Sequence, residues 1–90
     1  MDEESLRDLY DHLSATAERP VERSASRWLG EAEAIAGDVA HGDMAPEVQR
    51  ERLEKVEHLL ANVDATGDEA ADEHVAAAEA ILDALGAESS

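Results

Sequence analysis

The chain has 90 residues, with 23 Asp and Glu against 7 Lys and Arg, a formal net charge of -16, no Cys, no Phe, one Trp and one Tyr. Its length allows one domain, the lack of Cys excludes disulfides, thiolate metal sites and Cys nucleophiles, and no apolar run approaches the ~20 residues of a membrane helix. So acidic a surface repels nucleic acid and anionic membrane faces, which carry the same sign of charge.

The charge is unevenly spread. Residues 1–55 hold 14 acids and all 7 bases, whereas the rest holds 9 acids and neither Lys nor Arg. Acidic chains poor in aromatics are often disordered. Here 43% of residues are hydrophobic, and the large ones recur at helical spacing, so a folded domain under an acidic coat is expected. The start, Met1-Asp2-Glu3-Glu4, carries acids where a targeting peptide needs cations, which makes a cytoplasmic location the expectation. Arg outnumbering Lys, with acids in excess, fits a salt-loaded cytoplasm. At ~1 M salt the Debye length is ~3 Å, so a hydrophilic coat keeps the chain dissolved while self-repulsion is screened.

A first helix is expected over about residues 3–17, with Leu6, Leu9, Tyr10, Leu13 and Ala17 on one stripe and Asp2 as its cap. A second is expected over 20–40, opened by Pro20, with Val21, Ala25, Trp28, Leu29, Ala32, Ile35, Ala36 and Val39 facing inward. A third, over 46–63, starts at Pro46 and presents Val48, Leu53, Val56, Leu59, Leu60 and Val63. A fourth, over 68–85, presents Ala71, Val75, Ala78, Ile81, Leu82 and Leu85, with Thr66 and Glu69 spaced as a capping box and Gly86 as a stop. No segment alternates as a half-buried strand does. Short connections imply antiparallel neighbours, so the fold class is all-α: an up-down-up-down four-helix bundle, or a pair of helical hairpins. The Ala-rich fourth stripe buries little area, so dimerisation is the expected way to complete a thin core.

Catalytic signatures are missing. There is no Gly-rich phosphate loop with its Lys, no nucleophile elbow, and no base placed beside Ser14, Ser24 or Ser26. The acid-x-x-His spacing of a di-metal bundle occurs only at Asp38–His41, off the apolar stripe. No enzyme activity, cofactor or metal site is therefore expected. The Arg19, Arg23, Arg27 ladder, at i,i+4 spacing among Glu18, Glu22 and Glu31, reads as a salt-bridge lattice. His41 reads as a helix-end cap. Trp28 reads first as core and second as an interface anchor. Gln49 and Arg52 fall within the third stripe, where a polar group must be paired, by an intramolecular bridge or by another chain. His74, on the flank of the fourth stripe, reads as a half-buried histidine bonded to a neighbouring helix, or as a metal ligand or pH switch with Asp72, Glu73 or His58.

The stretches Glu31-Ala32-Glu33-Ala34-Ile35-Ala36-Gly37-Asp38, Gly42-Asp43-Met44-Ala45-Pro46-Glu47, Leu59-Leu60-Ala61-Asn62-Val63-Asp64-Ala65-Thr66-Gly67-Asp68 and Ala71-Asp72-Glu73-His74-Val75 resemble a small uncharacterised family of extremely halophilic archaea, over roughly residues 31–79. The family has no assigned activity, so the resemblance implies a cytoplasmic, high-salt setting and transfers no site residue. The expected function is a non-enzymatic interaction or regulatory module, with Arg52, Gln49, Trp28 and His74 as candidate interface residues. Its expected partner is a second copy, another protein, or both, and neither nucleic acid nor membrane. The alternative is a small-ligand or metal-binding regulatory domain using His74 and nearby acids.

Overall fold

The computed structural model describes residues 3–89, with side chains to residue 86. It has four helices: α1 (Glu3–Thr16), α2 (Arg23–His41), α3 (Pro46–Ala61) and α4 (Glu69–Ser89). Among the described residues there is no strand. The Asp2 cap lies outside them.

Each helix folds on its apolar stripe. Leu6, Leu9 and Leu13 of α1, Leu29 and Val39 of α2, Leu53, Val56 and Leu60 of α3, and Val75, Leu82 and Leu85 of α4 are buried in one core. Ala25, Ala32, Ala36 and Ala78 are buried between them and let the helix axes approach closely. α1 packs on both α2 and α4, and α2 packs on α3; α4 touches α3 only lightly. The result is an antiparallel four-helix bundle whose fourth side is the loosest. All four helices contribute to one core, with the α3/α4 side the least tightly packed.

The boundaries shift where backbone groups are needed elsewhere. α2 begins at Arg23 rather than Pro20. Residues 20–22 are drawn out to reach the next loop: the Glu22 N–H donates to the Thr66 carbonyl at 2.7 Å, and Glu22 caps α2 with extended backbone and no side-chain bond. Gly86 does not stop α4, which runs on to Ser89. Val48 was expected in the core and is 39% exposed. It lies at the edge of the arc centred on Leu53 and Leu60, in the first turn of α3, where little is left to cover it.

Candidate functional site

Three places bring chemically useful side chains together. The first is the bundle end where the α1–α2 and α3–α4 connections meet. Arg19 donates from Nε to Asp68 Oδ2 at 2.9 Å and from Nη2 to Oδ1 at 3.1 Å, a bidentate fork. Asp68 is also the cap of α4: its Oδ2 accepts the Ala71 N–H at 2.9 Å. The arginine bond, followed by that backbone N–H, holds the Asp68 carboxyl below its ordinary pKa, while the carboxylate raises that of Arg19. Thr66 is buried; its N–H and hydroxyl both donate to Asp72 Oδ1, at 2.8 and 2.9 Å. The expected Thr66–Glu69 box is therefore replaced by an Asp68 cap braced by Thr66 and Asp72. Between them Gly67 adopts φ +83°, with Glu22 Cγ 3.0 Å from where its Cβ would stand. Every group here is satisfied by another, so this end is a structural clasp.

The second place is the α1/α4 seam. His12 Nδ1 and His74 Nδ1 lie 3.0 Å apart, both rings half-buried. The rings are tilted by 44° with centroids 5.3 Å apart. In this contact one imidazole donates its Nδ1 proton and the other accepts it. The partner of His74 is thus a histidine on α1, which sequence reasoning missed. The wheel could place His12 on a flank of α1, but nothing local says which helix that flank meets. No group of three or more His, Asp or Glu side chains assembles as a metal site among the described residues.

The third place is the outer side of the α2/α3 hairpin. On α2, Gly37 marks the flank toward α1, since its missing Cβ would stand 3.0 Å from the Tyr10 ring. Trp28 and Ile35, half-buried against the core, occupy the opposite flank, toward α3. On α3, Glu57, His58 and Ala61 border a cleft of about 330 Å³ shared with Glu79 and Asp83 of α4. Val48 and Arg52 lie on the other flank, toward α2. Val48 is the exposed large hydrophobic of the described residues. Arg52 is exposed, one turn along, and forms no ion pair among the described residues. Trp28 on α2 and Gln49 and Arg52 on α3 thus belong to one hairpin, and His74 lies on α4 at the seam with α1. The Arg ladder does not form a lattice either: Arg19 precedes α2 and turns to Asp68, while Arg23 and Arg27 are exposed and unpaired.

His41 behaves as a helix-end residue. Its Nδ1 donates to the Gly37 carbonyl at 2.9 Å, and its ring stands edge-on to Tyr10 at 5.1 Å. The two border an open recess of about 580 Å³ with Glu33 and Asp38.

These features define a small antiparallel helical bundle with open clefts along its surface. The chain belongs to a family defined by a domain of unknown function, DUF8152, whose model matches residues 5–90. The match extends to both sides of the stretches that carry the resemblance and agrees that the family is uncharacterised. No curated protein and no solved structure matches the chain. Among the described residues no helix is long and apolar enough to cross a membrane.

Proposed function

We propose that the chain is a non-enzymatic interaction or regulatory module of a salt-rich cytoplasm, docking on another protein chain through the outer side of the α2/α3 hairpin. One observation carries the reading: Val48, 39% exposed, lies one turn from an unpaired Arg52. An arginine without a partner, in a chain with 23 acids, is free to fork a carboxylate on another surface. Half-buried Trp28 and Ile35 add apolar surface on the α2 side of the hairpin, and Lys55, seven residues beyond Val48 on the same flank of α3, adds positive charge. The partner surface is therefore apolar at its centre and acidic around it. A second copy packed face to face offers Glu47 and Glu51, exposed beside its own Val48, as carboxylates for Arg52, so a homodimer is the simplest assembly.

Sedimentation at high salt, with Val48→Glu and Arg52→Glu beside the parent, tests the reading in its dimer form. A dimer that both substitutions dissociate supports it. If the parent is monomeric, the same pair is used in affinity capture from the source lysate. A bound protein retained equally by parent and both variants overturns the docking face. The salt-rich setting has its own check, in which the melting temperature should rise between about 0.1 M and 3 M KCl as screening relieves the acidic coat. A flat or falling value removes it.

A further inference from the structure

We propose that His12 and His74 form a two-imidazole site for a divalent transition metal, one that clasps α1 to α4. The inference is independent of the docking reading, since it uses the opposite side of the bundle.

The two Nδ1 atoms are 3.0 Å apart. Two nitrogens that share an ion at ~2.05 Å each, and lie that far apart, subtend an angle of roughly 94° at the metal. That is the angle between neighbouring ligands of a tetragonal or octahedral ion. A tetrahedral ion needs its nitrogens ~3.3 Å apart and would require the seam to widen by ~0.3 Å. The pair suits divalent ions that take imidazole, and Cu²⁺ and Ni²⁺ accept the right-angled arrangement without movement of the seam. Affinity among these ions should run Cu²⁺ above Ni²⁺, in the usual order for nitrogen sites.

The surroundings agree. His74 shares its flank of α4 with Ala70, Ala77 and Ile81, none of them charged, and the acid one turn from His12 on α1 is the exposed Asp8. Hard cations such as Mg²⁺ and Ca²⁺ want several oxygens, and this seam does not gather them. With no set of three His, Asp or Glu donors among the described residues, the remaining coordination positions fall to water. The site is thus open and exchangeable. Metal takes the Nδ1 lone pair of both rings: the proton of the donor ring moves through solvent to its own Nε2, so both rings are neutral Nε2–H tautomers and the hydrogen bond gives way to two coordinate bonds. Because the ligands sit on helices 62 residues apart in the chain, binding ties the first helix to the last.

The test is calorimetric titration of the full chain with Cu²⁺ and Ni²⁺ at high salt, in excess Mg²⁺ to occupy surface carboxylates. Expected is one strong ion per chain, with a raised melting temperature. His12→Gln and His74→Gln should each weaken binding by about 10-fold or more, the size of loss that even outer-shell partners can cause. His58→Gln should leave it unchanged. Electron paramagnetic resonance of the Cu²⁺-loaded parent needs no variant and should show two equatorial imidazole nitrogens. Equal binding by the parent and both His variants, or ligation by oxygen alone, overturns the proposal.

Discussion

α4 has two neighbours, and it meets them differently. Against α1 its flank is Ala70, His74, Ala77 and Ile81, and the seam closes far enough to bring two imidazoles to 3.0 Å. Against α3 its flank carries Glu79 and Asp83, which share a cleft with Glu57 and His58, and the two helices touch only lightly. Both flanks border the same apolar core. The difference shows that burial sets which helices form the bundle, while the residues beside the stripe set how closely each pair approaches. Small neutral side chains admit a neighbour. Like charges hold it off, by an amount that salt reduces.

The comparison breaks first if the core is not shared. Leu9→Ala empties a fully buried position and should cost about 2–5 kcal/mol in urea unfolding. A loss under about 1 kcal/mol would mean that α1 does not hold the bundle together. Next comes the clasp that fixes the start of α4. Gly67→Ala forces a side chain onto φ +83° and into Glu22 Cγ, and should cost about 1–2 kcal/mol. The acid limb of the stability curve gives a third check. The folded-state pKa of Asp68 lies below the ordinary 3.8. Its contribution is therefore complete above that value and is lost as pH falls from there through the lowered pKa. Stability measured against pH should be less steep on that limb for Asp68→Asn than for the parent; identical limbs would remove the carboxylate from the account. The smallest effect belongs to the loose seam. Glu79→Gln should stabilise by about 0.3 kcal/mol at low salt and by nothing measurable at ~1 M, where screening has already removed the repulsion. A gain that persists in salt would mean that packing, not charge, keeps α3 and α4 apart.

Much of the fold was legible because it is periodic. Buried Leu9, Leu13, Leu29, Leu60 and Leu82 fall on the stripes that a wheel assigns them, and Pro46 opens α3 as its fixed φ favours. What escaped depends on contacts between elements. Pro20 does not open α2, because Glu22 gives its N–H to Thr66 in a loop more than 40 residues away. Gly86 passes within α4 because nothing in the sequence around it compels a left-handed turn there. Val48 shares its spacing with core residues but sits at the end of a helix, where the periodic pattern outruns the cover. The candidate site was half legible. Trp28, Gln49 and Arg52 belong to one hairpin, whose antiparallel pairing follows from the short turn at 42–45. The His12–His74 pair joins the first and last helices, and only the closure of the bundle brings them together.

The central claim is that the α2/α3 hairpin carries the docking face, and site-specific photo-cross-linking tests it most directly. A photoreactive residue is placed at position 48 in one variant. In another it replaces Ala80, exposed on α4 at the far side of the bundle. Both are irradiated in source lysate at cytoplasmic salt. The account predicts one reproducible adduct from position 48, either a second copy or another protein, and none from position 80. Adducts equal at the two positions, or found at 80 alone, would contradict it.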